Sequence, residues 1–266
     1  MDKIAIISDI HGNKTALTAV LDDIHSHNIN KIFCIGDIVV KCASPDATID
    51  LVRKSCDIVL QGNCDEIMAS DRALEKKFWT RLKIGEERAE YLRNLPVMYG
   101  FYLSGQLIRL FHASPYSLSH IYNPMFSNKN SKYYSIEISN PLDLFSNTSF
   151  IGKTESDPIP DIIGYGHIHT PNIFKVKNKT IFNPGSVGAP VEMLNTGDLK
   201  DKSNRFSTLA SYTILEGVFG SKDLASISIA NVRVPYNIES EILDLENSDI
   251  PSKSQFIFSL KTASSN

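Results

Sequence analysis

What the 266-residue chain lacks narrows its class before any motif is read. No apolar run reaches the ~20 residues that a membrane-crossing helix needs. Met1-Asp2-Lys3 leads straight into a strand-like run, without the zones of a secretion signal. The four cysteines, Cys34, Cys42, Cys56 and Cys64, contain no C-x-x-C pair and all lie in the first quarter of the chain. That excludes a disulfide framework and a zinc knuckle, and it fits a reducing, cytoplasmic setting. No period of solenoid length recurs. A preponderance of one charge is also missing, since 27 Lys and Arg against 30 Asp and Glu leave a formal net charge of −3. Neither a broad electrostatic surface for nucleic acid nor a membrane partner is therefore expected.

What is present is ordinary for a globular protein: 42% apolar and 21% charged residues. Residues 3–8 are a continuous apolar run, read as a buried strand, that ends in Asp9-Ile10-His11-Gly12-Asn13. Leu17, Val20, Leu21 and Ile24 then recur at helical spacing, which predicts a helix over 14–27 capped by Asn13. A second buried strand over 31–35 ends at Gly36-Asp37, and Ser44-Pro45 opens a second helix with Ser44 as cap. A third strand over 57–60 ends at Gln61-Gly62-Asn63-Cys64-Asp65. This alternation predicts a parallel sheet with crossover helices.

Further on, 66–95 reads as charged helix divided at Gly85, and 97–103 with 107–111 as a hairpin running into His112. Residues 116–150, rich in Asn, Ser and Tyr, read as an inserted loop with one helix near 142–145. A strand over 159–165 and a pair over 172–176 and 180–182 follow, then the turn Asn183-Pro184-Gly185-Ser186. The segment 195–205 reads as a polar loop, and 211–215 and 226–234 as strands of a second sheet. After Glu239 a short helix and a last strand over 255–260 are expected. The whole is read as a single domain over 1–260 with insertions at 66–95 and 116–150 and a disordered tail over 261–266.

The polar residues at the strand ends form a pattern. Asp9 and His11 close the first strand, Asp37 the second, Asn63 the third and His112 the hairpin. His167 and His169 lie in Gly164-Tyr165-Gly166-His167-Ile168-His169, which alone is equally well a glycine-rich turn with two solvated histidines. Alternate histidines on an extended backbone share one metal poorly but serve two side by side. Open α/β sheets bind ligands at the carboxyl ends of their strands. Seven N or O donors gathered there without matching Lys and Arg invite divalent cations. The mixture suits Mn, Fe or Zn better than Ca or a thiolate site. Two ions about 3.5–4 Å apart stabilise the attacking and leaving oxygens of a displacement at phosphorus.

In Asp9-Ile10-His11, Gly36-Asp37, Gly62-Asn63-Cys64-Asp65, His112 and Gly166-His167-Ile168-His169 the chain resembles a calcineurin-like metallophosphoesterase, block for block and in order. Asn183-Pro184-Gly185-Ser186 extends the likeness. The resemblance implies an α/β fold, a four-layer α/β/β/α sandwich of two mixed sheets. It implies a dinuclear metal-dependent phosphoesterase, a phosphodiesterase or phosphatase, in which a metal-bridging hydroxide attacks phosphorus. Asp9, His11 and His169 would hold one ion, Asn63, His112 and His167 the other, and Asp37 would bridge. The ions implied are Mn or Fe, with Zn, Ni, Co or Mg as alternatives. Asp37, Asn63, Cys64 and His112 are the implied catalytic residues. Many members carry His where this chain has Cys64, a position thought to serve the leaving group or the phosphate. A thiol is a poorer donor and brings no positive charge when protonated. The chain is similar here to a small bacterial and archaeal branch with Gly-Asn-Cys-Asp, associated with phosphodiesterase activity.

The expected substrate is thus a phosphorylated small molecule or nucleotide, with activated diesters or anhydrides favoured over alkyl monoesters. Dinucleoside polyphosphate hydrolysis is an alternative, with Trp79 stacking a base, and protein phosphatase activity a weaker one. The retromer subunit shows that the same fold also serves as a non-catalytic scaffold, a reading that predicts degraded ligands, whereas all seven stand intact. Asp65 reads as a helix cap only. Arg72, Lys76, Lys77, Phe78, Trp79 and Arg81 read as a solvated helix face or as a lid over phosphates, and Tyr116 and Tyr122 as weaker candidates of that kind. His25, His27 and His120 read as surface or structural.

Overall fold

The computed structural model describes residues 1–120, 122, 140–146, 158–192, 205–251 and 253–263. The first third follows the expected alternation. Strand β1 (Asp2–Ile7) leads to helix α1 (Lys14–Ser26), β2 (Lys31–Cys34) to α2 (Pro45–Ser55), and β3 (Ile58–Val59) to α3 (Asn63–Ala69). Asn13 caps α1 through its side-chain oxygen, which accepts from Ala16 N–H at 2.9 Å. Ser44 does not cap α2 with its side chain; only its carbonyl serves the first turn, accepting from Thr48 N–H at 3.0 Å. Short α4 (Asp71–Glu75) precedes α5 (Trp79–Arg93), which breaks at Gly85, where φ is 72°. Only glycine adopts that backbone freely.

Strands β4 (Met98–Leu103) and β5 (Gln106–Phe111) form the hairpin, and a 3₁₀ helix stands at Pro141–Phe145 where a helix was expected. Then come β6 (Ile162–Tyr165), β7 (Asn172–Val176), β8 (Lys179–Asn183), and the short pair β9 (Val191–Glu192) and β10 (Arg205–Phe206). The chain continues with β11 (Leu209–Gly217), β12 (Ser228–Pro235), α6 (Ile238–Asn247) and α7 (Lys253–Thr262). Most of 116–150 and of 195–205, and the end of the expected tail, lie outside the described residues.

Two five-stranded mixed sheets result, ordered β12-β11-β1-β2-β3 and β4-β5-β6-β8-β7. The β1–β2–β3 pairings are parallel, and β11 closes the other edge of β1 antiparallel, with Ile6 opposite Thr213. The strands near 211–215 and 226–234 therefore belong to the first sheet, contrary to expectation. Their alternation marks them as strands but carries no record of their partner, and the free edge of β1 takes β11.

Alternation along β1 explains the layering. Ala5 and Ile7 face one way, onto Leu17, Val20 and Ile24 of α1 and Ile49 and Val52 of α2. Ile4 and Ile6 face the other way, with Phe33, onto Phe101, Ile108, Leu110 and Phe182 of the second sheet. The outer face of that sheet buries Phe111, Ile163 and Tyr165 beneath Tyr122, Leu144 and Phe145. Helices, sheet, sheet and an outer cover stack in that order.

The expected strand over 255–260 is instead inside helix α7. Its apolar residues Phe256, Ile257 and Leu260 pack with Trp79 against Ala43, Leu245 and Ile250. A short apolar run does not distinguish strand from helix by itself.

Candidate metal centre

All seven donors sit just past the carboxyl ends of β1, β2, β3, β5 and β6, where the two sheets meet. The loops carrying them are laced by backbone hydrogen bonds. Asp9 N–H donates to Gly36 C=O at 3.0 Å, His11 N–H to Asp37 C=O at 3.0 Å, and Gly166 N–H to His112 C=O at 2.7 Å. The 183–186 turn braces the set: Asn183 Nδ2 donates to Gly166 C=O at 2.7 Å and the Ser186 hydroxyl to Asp9 C=O at 2.7 Å.

The donors fall into two groups. In one, His11 Nε2 stands 2.9 Å from His169 Nε2, and Asp9 Oδ1 lies 3.3 Å from His169 Nε2. In the other, His112 Nε2 stands 3.1 Å from Asn63 Oδ1 and 3.3 Å from His167 Nδ1. Asp37 faces both, with Oδ2 3.7 Å from His11 Nε2 and Oδ1 3.4 Å from His112 Nε2. Asp9, His11, Asp37 and His112 are almost fully buried.

A model of the calcineurin-like phosphoesterase superfamily domain matches residues 2–216. The chain belongs to the calcineurin-like phosphoesterase superfamily. A curated relative, an uncharacterized protein of Methanocaldococcus jannaschii, is 30% identical over 257 residues, covering 93% of each chain. The crystal structure of a metallophosphoesterase from Sphaerobacter thermophilus superposes with a TM-score of 0.64 at 22% identity, over 98% of this chain and 99% of that one. A hypothetical protein of Pyrococcus horikoshii superposes at 0.68 with 18% identity, over 100% and 98%. At these identities the two structures show the fold: two mixed sheets flanked by helices.

The superfamily's divalent ions fit the residues present, on three observations. The first is tautomers. His11 Nδ1 donates to Val39 C=O at 3.2 Å, His169 Nδ1 to Ala189 C=O at 2.6 Å, and His112 Nδ1 to Ile35 C=O at 2.9 Å. With Nδ1 carrying the proton, the neutral rings of His11 and His169 turn an Nε2 lone pair inward, and His112 would do so once an ion displaced its second proton. Two lone pairs facing each other at 2.9 Å call for positive charge beside them, a demand that the Lys41 ammonium meets in part, at 3.0 and 3.2 Å from the two nitrogens. The second is Asp9 Oδ1, a buried oxygen with no hydrogen-bond partner, at the same point. The third is backbone. Asp9, His11, Asp37, His167 and His169 all hold φ between 53° and 68°, a conformation that costs energy outside glycine and gathers at functional sites.

Electrostatics tell the same story. Burial opposes the charge on Asp9, but His169 and His112 outweigh it and hold the carboxyl well below its ordinary range. Asp37 is likewise held low, burial being outweighed by His112 and His11. Burial disfavours charge on His112, yet Asp37 and Asp9 raise it to about 9. Burial and the neighbouring His112 push His167 down to about 4. A centre that draws protons onto one imidazole to balance two carboxylates has a demand for positive charge.

Cys64 sits in this centre, its N–H donating to Asp37 Oδ1 at 2.8 Å. Burial and Asp37 push its thiol well up, so it brings no charge. Asp65 does more than cap α3. Its carboxylate accepts from Gly62 N–H at 2.9 Å, Asp37 N–H at 2.8 Å and Ile38 N–H at 2.9 Å. The capping spacing was visible in the sequence, but the contacts to residues 37 and 38 were not. Lys41 was missed altogether, and its Nζ lies 3.0 Å from His11 Nε2 and 3.2 Å from His169 Nε2.

In the basic cluster near Trp79, Arg72, Lys76, Lys77 and Phe78 are exposed, as a solvated face requires, while Trp79 and Arg81 depart from it. Arg81 is buried and pairs with Glu86. Trp79 donates from Nε1 to Asp249 Oδ1 at 2.6 Å and packs against the cluster of Ala43, Leu245 and Ile250, so it is not free to stack a base. Tyr122 is buried under the second sheet, and the Tyr116 hydroxyl donates to Asp143 C=O at 3.2 Å. His25 and His27 are exposed and His120 is half-buried, away from the centre. No helix among the described residues is long and apolar enough to cross a membrane.

Proposed function

We propose that the protein is a dinuclear metal-dependent phosphoesterase that hydrolyses phosphodiester or nucleotide-type substrates. The observation that carries this reading is Asp37, whose two oxygens each face a separate group of three donors. Asp9, His11 and His169 would hold one divalent ion, Asn63, His112 and His167 a second, and Asp37 would serve both. Bound there, Mn or Fe would polarise the phosphoryl group and activate water. The chain's own part is positional. Carbonyls of Val39, Ala189 and Ile35 fix three imidazoles with Nε2 inward, and Asp65 pins the backbone of Asp37.

Neutral Cys64 supports the preference for diesters and anhydrides, whose leaving groups need less help from a proton donor. A cytoplasmic location belongs to the same reading, supported by four free thiols. So does a single catalytic domain over 1–260. The test is a screen of Mn²⁺-loaded protein against aryl diesters, cyclic dinucleotides, dinucleoside polyphosphates and alkyl monoesters, with Asp37→Ala alongside. Diesters or anhydrides should turn over fastest. Asp37→Ala should lose more than about 100-fold, beyond the 10–100-fold typical of groups that only support a ligand. Activity that survives Asp37→Ala sinks the assignment, and strong preference for alkyl monoesters sinks the substrate class.

A further inference from the structure

The turn that follows β2 holds His11 from two sides, and it is strained. Val39 C=O accepts from His11 Nδ1 at 3.2 Å, and Cys42 N–H donates to His11 C=O at 2.8 Å. Between these contacts Val40 and Lys41 hold φ of 78° and 74°, and for a β-branched residue that conformation is a genuine outlier. Such a bend persists only where its surroundings hold it. Helix α6 supplies a hold. Leu245 packs with Ala43, and Glu241, one turn earlier on the same face, is buried against Cys42 and the first turn of α1. Its carboxylate accepts from the N–H and hydroxyl of Thr15 and from the Cys42 thiol. Helix α1 has no acidic residue in its own first turn, so Glu241 brings from another helix the carboxylate that a helix N-terminus favours. The two places it ties together, the 40–42 turn and the start of α1, flank the segment 9–13, which carries Asp9 and His11.

We propose that Glu241 is a positioning residue of the metal centre, a brace from α6 that keeps the 40–42 turn closed on His11 and so holds the first donor group, Asp9, His11 and His169, ready for a divalent ion. The proposal rests on the metal-centre reading above. Glu241 acts through Cys42 and Thr15, and no chemical step is assigned to it. Burying this carboxyl with Oε1 unpartnered costs stability; what it supplies is the tie between the turn and α1. Asn63, His112 and His167 hang from other loops, so loss of the brace falls on the first ion.

The experiment titrates Mn²⁺ calorimetrically into metal-free wild type, Glu241→Ala, Glu241→Gln and Ile242→Ala, the last a core truncation on the same helix outside the tie. Electron paramagnetic resonance separates lone from paired Mn²⁺, and amide hydrogen exchange at Gly12 and Cys42 reports the turn without metal. Glu241→Ala should weaken one of two binding events about 10- to 100-fold, the scale for groups that support a ligand, and leave the other within about twofold. Its paired-ion signal should fall accordingly, and exchange at Gly12 and Cys42 should quicken about 10-fold or more. Glu241→Gln, which keeps an acceptor of the same shape, should stay within about threefold of wild type on every readout. Cys42→Ala and Thr15→Val cut the tie from its other ends; together they should reproduce the weakened event, and they decide the matter if Glu241→Ala does not fold. Two Mn²⁺ events within about twofold of wild type in Glu241→Ala overturn the proposal. So does an equal loss in Ile242→Ala, which would make α6 a general prop. If wild type takes up no Mn²⁺, the metal-centre reading falls, and exchange at Gly12 and Cys42 still judges the brace.

Discussion

Asp65 and Glu241 show how far a single buried carboxylate reaches. Asp65 is the shared acceptor for three backbone N–H groups on two loops. Asp65→Ala leaves them without it, and the expected loss is about 3 kcal/mol or more, read by urea unfolding. Loss below ~1 kcal/mol would mean that water replaces the carboxylate easily. Glu241 lies buried on α6, with one oxygen unpartnered. Burial raises its carboxyl to about 7, with a hydrogen bond from Thr15 pulling the other way. In an unfolded chain it titrates near ~4.3. Between those values the folded state holds the proton and the unfolded state does not, so stability falls as pH rises through that window. Glu241→Gln should cancel that slope and be more stable than wild type above about pH 7, by up to about 3 kcal/mol. Melts of both proteins at about pH 4.5 and 8 check it; identical pH dependence would show that Glu241 is not the group responsible.

At the scale of elements, the centre depends on loops touching with nothing between them. Gly62 precedes α3, and a Cβ there would stand 2.2 Å from Asp37 N and 2.3 Å from Asp37 Oδ1. Gly62→Ala must push α3 away from the loop after β2. Destabilisation of about 1–3 kcal/mol is expected, together with weaker Mn²⁺ binding by calorimetry. Unchanged metal affinity would show that the two loops tolerate separation. Helix α7 carries the complementary lesson. Its apolar residues match strand chemistry, and the surface offered by Ala43, Leu245 and Ile250 decides for helix.

For the whole molecule, the two sheets are joined by an aromatic contact. Phe33 of the first sheet meets Tyr99 and Phe101 of the second, with centroids 5.4 and 5.5 Å away. Phe33→Ala should cost about 3–5 kcal/mol. Metal binding couples to the same global stability, because an ion that binds only the folded chain stabilises it by about 2.7 kcal/mol at 100 times its dissociation constant. Mn²⁺ should therefore raise Tm by at least about 5 °C at that concentration. A chelator should reverse the shift and Asp37→Ala should abolish it. A shift that persists in Asp37→Ala would place the ion elsewhere.

The sequence by itself determined the first sheet's parallel half and the seven strand-end donors in their order, because strand periodicity, buried runs and strand-end positions are local properties. Asp9, His11, Asp37, Asn63, His112, His167 and His169 were named from where strands stop, and the fold does bring them together. Local pattern does not specify a partner, so only the tertiary structure placed β11 and β12 beside β1 and turned 255–260 into helix. It also decided which polar side chains meet. Asp65 reaches back to residues 37 and 38, Trp79 is spent on Asp249 and the cluster around Leu245, and Lys41 enters the centre because the fold holds Val40 and Lys41 at positive φ. Sequence fixes which groups the chain carries, while their distances depend on how strained loops from separate strands are packed against one another.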